Sequence, residues 1–375
     1  MRQEKLILFK RTIAQRKYAF QKTYSKCSQF VRLISSILFL GYIVSCQKEK
    51  ISIGTNVSDT FYLDNAGASM RILIEGNTLS HTFLIIVHGG PGTGSSFYNT
   101  DYISQNIEDK YAVVYWDQRN SGASQGNSNG NNLNLTQMTD DLKKVIQVIK
   151  SRYGTDGAVF ILGHSFGGLL ATSFMTSGNN QSMVKGWIFV DGSHNYPLND
   201  TLTRQMLQTT GQQQIDLNKN ADKWSPILTW CNAHPGNFTL AESDQLATFA
   251  TSAETYMDEV NQFDYLTYIK EHLFSDNLTL TALLFNHLYS ENATFNNELA
   301  KTEFSSTLYK VIKPTLILFG QYDFICPKGL GDDVFKRISS PQKRMVISTV
   351  SGHNFMFQDE GLFCYEVNNF IQQFK

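Results

Sequence analysis

The chain has 375 residues, 42% of them hydrophobic and 13% aromatic, with charged residues at 17% and a formal net charge of −1. That length buries a sizeable core and suits one large domain, or one domain carrying an insertion. Ordinary apolar content excludes bulk disorder and low-complexity classes, and the near-zero charge excludes a general nucleic-acid binder, which needs a basic face.

The charge is unevenly laid out. Residues 1–45 hold nine Lys and Arg and one acid, Glu4, a balance of +8; this leaves 23 basic and 32 acidic residues in 46–375, a balance of −9. Inside the basic head, residues 33–44 (LISSILFLGYIV) form an uncharged, mostly apolar run, preceded by Arg32 and followed by Ser45 and Cys46. The run is too short for a bilayer span, which takes about 20 residues, and it matches the apolar region of a signal peptide. Ile43-Val44-Ser45-Cys46 resembles the lipobox of bacterial lipoproteins. The resemblance implies a signal peptide over 1–45, cleavage before Cys46, lipidation of its thiol, and membrane anchoring in the bacterial cell envelope. An uncleaved anchor helix and a plain secretory signal are the alternatives. Residues 46–59 then read as a polar tether.

From about Phe61 the pattern becomes that of a folded domain. Phe61 to Leu63 and Met70 to Ile74 predict an opening hairpin. Phe83 to Val87 and Ala112 to Trp116 are continuous apolar runs, the mark of strands buried on both faces of a mostly parallel sheet. A helix follows over Thr136–Tyr153, with Leu142, Val145, Ile146 and Ile149 at helical spacing. Strand Ala158–Leu162, a helix and strand Trp187–Val190 complete a core over 60–192. Between 193 and 306 strand-like runs give way to amphipathic, aromatic-rich helical windows, which read as an inserted cap. The α/β alternation resumes over 307–375 with strand Thr315–Phe319, a helix near Asp332–Ile338, strand Arg344–Ile347 and a last helix. Cys231, Cys326 and Cys364 are widely spaced, form no CxxC, and read as small buried apolar residues.

Three motifs carry chemistry. Gly163-His164-Ser165-Phe166-Gly167 is a G-x-S-x-G placed between a predicted strand and a helix, the context that presents a strained, exposed serine hydroxyl. Such a hydroxyl needs an imidazole to take its proton and a carboxylate to orient that imidazole, in chain order serine, acid, histidine. His353, in SGHN after a predicted strand, is the only histidine beyond the candidate acids that follow the insertion. Asp323, just past strand Thr315–Phe319, is the favoured acid, and Asp191, at the end of strand Trp187–Val190, is its rival. His88-Gly89-Gly90-Pro91-Gly92 follows the third strand, where backbone N–H groups can meet a developing oxyanion; Gly90 N–H and Phe166 N–H form the natural pair. A phosphate loop is excluded, because a G-x-G-x-x-G from Gly90 would need glycine at Ser95 and no GK[ST] follows.

HGGPG, the stretch Asp117-Gln118-Arg119-Asn120-Ser121-Gly122 and GHSFGG together resemble the α/β-hydrolase superfamily, and within it the proline iminopeptidase family of serine peptidases. The likeness covers roughly residues 60–192 and 308–375. It implies an α/β-hydrolase fold with a helical cap, Ser165 as nucleophile, Asp323 and His353 as its partners, and Gly90 and Phe166 as oxyanion donors. His88, Gly89, Pro91 and Gly92 would complete the substrate loop. Two positions depart from the family pattern. Asn120 stands where glycine is usual, and the elbow reads GHSFGG in place of GGSWG, which loosens the substrate assignment. Acidic cap residues of the family hold a substrate ammonium; Glu254, Asp258, Glu259, Asp264 and Glu271 are the candidates here.

The leading expectation is therefore an exported, membrane-anchored serine hydrolase that removes N-terminal residues, proline among them, from short peptides through an acyl-enzyme. An esterase of small acyl substrates would use the same elbow and triad. A surface lipoprotein that has lost catalysis is a third reading, against which all parts of the triad and oxyanion loop read intact. No cofactor is implied, and with no HExxH or carboxylate cluster no metal is implied either.

Overall fold

A computed structural model describes residues 51–124, 132–272 and 292–375, without the side chains of Tyr265, Glu271 and His272. The basic head, the apolar run 33–44 and Cys46 lie outside the described residues. Eight strands form one sheet: β1 (Val57–Asn65), β2 (Ala68–Gly76), β3 (Thr82–Val87), β4 (Ala112–Trp116), β5 (Ala158–His164), β6 (Gly186–Val190), β7 (Thr315–Gly320) and β8 (Lys343–Ser348). Their order is β1-β2-β4-β3-β5-β6-β7-β8. The β1–β2 and β2–β4 pairs are antiparallel and the rest are parallel.

The five strands β3 to β7 are buried along their whole length, which is why each reads as an unbroken apolar run. The opening hairpin is longer than its apolar residues predict, because β1 is an edge strand whose alternate residues face solvent. Helices cover both faces. On one, α1 (Leu135–Tyr153) buries Met138, Leu142, Val145, Ile146 and Ile149 against the sheet, next to α2 (Phe166–Thr176). Asn134 caps α1 by accepting the Gln137 N–H at 2.8 Å. Truncating a core side chain such as Leu142 to alanine costs about 2–5 kcal/mol. The other face holds Phe355, Phe363, Val367 and Phe370 from the C-terminal segment.

Between β6 and β7 the described residues form helices α3 (Tyr196–Asp216), α4 (Ala221–Ala233), α5 (Leu240–Glu254), α6 (Tyr265–His272) and α7 (Ala293–Leu299). The insertion has its own apolar centre, where Trp224, Leu207, Cys231, Leu246 and Ala250 meet Phe324 from the loop after β7. Thr239 and Glu242 form a reciprocal capping box at the start of α5. Helices α8 (Gly329–Arg337) and α9 (Glu360–Phe374) complete the core. A mostly parallel sheet covered by helices, with a helical insertion after β6, is the α/β-hydrolase fold. Cys231, Cys326 and Cys364 are buried and unbridged. Among the described residues, no helix is long and apolar enough to cross a membrane.

Candidate active site

Strand β5 ends at His164 and helix α2 begins at Phe166, so the turn between them is Ser165 alone. Its backbone is at φ 55°, ψ −122°, a conformation that costs a non-glycine residue on the order of 1–3 kcal/mol. The turn closes because the chain is bare beside it: a Cβ at Gly167 would run into the Val87 and His88 carbonyls. Ser165 is thereby lifted to the carboxyl edge of the sheet at the N-terminus of a helix.

Two further loops converge there. His353 lies beyond β8, with its Nε2 at 2.9 Å from Ser165 Oγ and its Nδ1 at 3.0 Å from Asp323 Oδ2. Asp323, in the loop after β7, is fully buried, and its Oδ1 accepts the N–H groups of Ile325 at 2.9 Å and Cys326 at 2.7 Å. The carboxylate accepts a hydrogen bond from Nδ1–H, which leaves Nε2 as the acceptor for the serine hydroxyl. Burial lowers the His353 pKa, opposed by the charges of Glu254 and Asp191. Burial raises the Asp323 pKa, opposed by its two backbone donors.

Asp191 does something else. It is fully buried at φ 42°, and its oxygens accept the N–H groups of Gly320 at 2.8 Å and Phe355 at 2.9 Å. It ties the end of β7 to the turn that follows His353, and no hydrogen bond joins it to the imidazole.

Gly90, at φ 123°, and Phe166 border the space beside Ser165. As the first residue of α2, Phe166 has an N–H with no partner inside the helix. The rest of the HGGPG loop is divided. Gly89 also borders the space, whereas Pro91, joined to Gly90 by a cis peptide, and Gly92 do not. His88 faces the interior: its Nδ1 donates to the Gly89 carbonyl at 2.7 Å and its Nε2 accepts the Gln118 N–H at 3.1 Å. Burial lowers its pKa.

The Asp117–Gly122 stretch is a brace. Asp117 Oδ1 accepts both the N–H and the hydroxyl of Ser95 at 2.7 Å. Arg119 grips Asp141 side-on at 2.6 and 2.7 Å in full burial. Asn120 sits in the left-handed region at φ 55°, which asparagine tolerates and for which glycine is the usual residue.

Sequence reasoning missed a relay under the site. The Gly89 N–H donates to the Tyr98 hydroxyl at 2.9 Å, and that hydroxyl donates to His164 Nδ1 at 2.6 Å. His164 Nε2 in turn donates to the His353 carbonyl at 2.9 Å. The carbonyl can only accept, so the tautomer and the direction of the relay are set. Burial and the neighbouring His353 hold the His164 pKa down to about 3, and the ring stays neutral. His164 is the variable residue of the elbow motif, and its pattern gave no sign of this role.

Two cavities open on Ser165 and share Gly90 and Ile325 as walls. One, of about 580 Å³, is lined by Phe97, Tyr98, Phe357, Ile269, His164 and His353. The other, of about 230 Å³, is lined by Phe166, Tyr196, Asn199, Asp200, Ser243 and Asp244 among others. The acids facing it are thus not those expected from sequence. Asp200 Oδ2 accepts the Ser243 hydroxyl at 2.5 Å, and burial, with Asp244 adding to it, raises the Asp200 pKa. Asp258 and Glu259 instead lie 3.4 and 3.7 Å from Lys219 on the surface. Asp264 caps α6 through Thr267, and the Glu271 side chain lies outside the described residues. Glu254 is buried behind His353, whose backbone N–H it accepts at 2.9 Å.

The chain is similar to proteins already described. The chain is 22% identical over 327 residues to a probable aminopeptidase, YbaC, of Bacillus subtilis, covering 80% of this chain and 92% of that one. It is 24% identical over 304 residues to a proline iminopeptidase of Saccharolobus solfataricus, covering 78% and 86%. Among solved structures, an esterase from Exiguobacterium antarcticum superposes with a TM-score of 0.54 at 16% identity, over 84% of this chain and all of that one. A proline iminopeptidase of Mycobacterium smegmatis gives 0.52 at 15% identity, over 84% and 98%. Resemblance this distant shows a shared fold. The family model described as serine aminopeptidase, S33, matches residues 80–360. With that match spanning most of its length, the chain is a serine hydrolase and belongs to the serine aminopeptidase S33 family.

Proposed function

We propose that the protein is an aminopeptidase that releases N-terminal residues from short peptides through an acyl-enzyme on Ser165. The observation that carries the reading is the aligned pair of contacts from Ser165 Oγ to His353 Nε2 at 2.9 Å and from His353 Nδ1 to Asp323 at 3.0 Å. In this mechanism His353 takes the serine proton as Oγ attacks the carbonyl, and Asp323 stabilises the imidazolium. Gly90 N–H and Phe166 N–H receive the oxyanion, and each such donor is worth about 3 kcal/mol of transition-state stabilisation. His353 then returns the proton to the departing nitrogen, and water releases the acyl group by the same steps in reverse.

The choice of a peptidase over an esterase is supported by the smaller cavity, which Asp200 and Asp244 line together with Ser165. Two neighbouring carboxyls, one partly buried and one exposed, favour a cation, and the α-ammonium of a peptide is one that lies two bonds from the attacked carbonyl. The relatives described as a probable aminopeptidase and a proline iminopeptidase agree with it. Fluorophosphonate labelling of the wild type and of Ser165→Ala tests the nucleophile: equal labelling of both refutes it. A panel of aminoacyl arylamides led by proline, each with its N-acetylated counterpart, tests the substrate class. Indifference to acetylation removes the aminopeptidase reading and leaves an esterase-like hydrolase.

The same proposal includes export and lipid anchoring at Cys46, supported by the basic head, the apolar run 33–44 and the lipobox-like sequence. Cys46→Ala is expected to abolish acyl labelling and release the enzyme from membranes. Continued lipid labelling of that variant rules the anchor out.

A further inference from the structure

The two cavities at Ser165 are unequal in size and differ in lining, the smaller alone holding aspartates, and the reaction geometry says which half of a substrate each receives. In the tetrahedral intermediate, the carbonyl carbon carries the serine oxygen, the oxyanion, the leaving group and the acyl substituent. The oxyanion points to Gly90 and Phe166. The leaving atom must lie where His353 Nε2 can protonate it, so it departs on the His353 side. His353 lines the 580 Å³ cavity and is absent from the walls of the 230 Å³ one; Phe166 lines the smaller and is absent from the larger.

We propose that the larger, aromatic cavity is the leaving-group subsite and selects a bulky, uncharged apolar group there, while the smaller cavity takes the acyl residue with its amine. For a peptide this means a large aromatic or aliphatic second residue. The inference rests on the acyl-enzyme reading above and adds a specificity which that reading does not contain.

The walls suit such a group. The Phe357 ring stacks on Phe263 at a centroid distance of 4.9 Å and meets Tyr98 at 5.8 Å, so the surface is held by its neighbours before substrate arrives. Phe97 and Ile269 add apolar surface. His164, another ring of this cavity, is neutral and committed at both nitrogens. Among the described residues no Lys or Arg lines the larger cavity, so a free carboxylate placed there meets no counter-charge from them. A dipeptide, whose terminal carboxylate would fall in this region, is therefore a worse substrate than the corresponding dipeptide amide.

The test holds the acyl group constant and varies the leaving group. Ala-Gly, Ala-Leu and Ala-Phe amides, with the prolyl series in parallel, are expected to show kcat/KM rising at least tenfold from glycine to phenylalanine. Phe357→Ala and, separately, Phe97→Ala are expected to flatten that rise by slowing acylation. Deacylation, measured by rapid quench, should not change, because the acyl-enzyme no longer holds the leaving group. A flat series in the wild type, or variants that alter deacylation and leave the slope intact, overturns the assignment. Ethyl, butyl and benzyl acetates carry the same comparison without an amine. A slope confined to the esters therefore refutes the aminopeptidase reading and upholds the subsite, whereas no fluorophosphonate adduct at Ser165 removes both.

Discussion

The backbone N–H of His353 donates to Glu254 Oε1 at 2.9 Å, joining the loop after β8 to the last residue of α5. The carboxyl lies against Gly352, where a Cβ would come within 2.7 Å of it. The helical insertion thus contributes a buried group to the support of the histidine, and any shift of α5 is felt at His353. Burial, reinforced by the charge of Asp323, pushes the Glu254 pKa up to about 8.

Glu254→Gln is accordingly expected to become more stable relative to the wild type as pH rises. A carboxyl with a raised folded pKa keeps its proton between about 4.5 and 8 while the unfolded chain loses it, so its contribution to stability falls across that window. Glutamine cannot ionise, and its carbonyl oxygen still accepts the His353 N–H. Melting temperatures of both proteins at pH 5 and pH 8 measure the effect; a gap that does not widen with pH contradicts it. Glu254→Ala leaves the N–H without its partner, and about 1–3 kcal/mol of stability should be lost.

Asp323 and Asp191 should separate cleanly under substitution. Asp323→Asn is expected to lower kcat by on the order of 10⁴ with little loss of stability, because the amide favours the wrong imidazole tautomer. Asp191→Asn places an NH₂ group against a backbone N–H that had donated to carboxylate, at a cost of about 1–3 kcal/mol. Its effect should be read first in the melting temperature. The reverse pattern would make Asp191 the acid that orients His353.

The pH profile of kcat/KM should have its acid limb below the ordinary histidine value of 6.5. Burial lowers the His353 pKa, so the neutral base persists as pH falls and is lost only when pH passes through the lowered folded value. Activity that already declines above pH 6.5 would show that this imidazole is not the controlling group.

Asp200→Asn is expected to raise KM for aminoacyl arylamides by up to about tenfold, Asp244→Asn by less, and both to leave turnover of short-chain esters near the wild-type level. An exposed ion pair, as at Asp244, is worth about 0.2–1 kcal/mol, and a factor of ten is about 1.4 kcal/mol. Equal losses on both substrate types would mean that the substitutions disturb the cavity and do not remove an ammonium partner.

Much of the core was legible from residues alone, for identifiable reasons. Strands β3 to β7 are buried on both faces, so no polar residue interrupts their runs. The elbow was legible because close packing against Val87 excludes a side chain at Gly167. His353 was found by chain order. The edge strand β1 was read short, since half its residues face water. Asp323 and Asp191 could be ranked by position only; their separation depends on which loop curls back toward the imidazole.

The acids of the smaller cavity show where such reading stops. Asp200 lies in the first turns of α3 and Asp244 in α5, 44 residues apart, and neither stands in a motif. Glu254, taken from sequence as a possible substrate ligand, is turned by the same helix toward the back of His353. Nearly three turns of one helix separate Asp244, which lines the smaller cavity, from Glu254, which holds the His353 N–H, and sequence does not show which way the helix is rolled.

The sequence by itself determined the sheet, the elbow, the serine–aspartate–histidine order of the residues that meet there, and the hydrolase family, because each rests on local rules of burial period, close approach and chain order. Tertiary structure alone decided which aspartate meets His353, the Gly89–Tyr98–His164–His353 relay, and the acidic and aromatic walls on either side of Ser165. Those depend on how an inserted set of helices packs over the core, and packing joins residues that are distant in the chain through shape and burial, which no local pattern records.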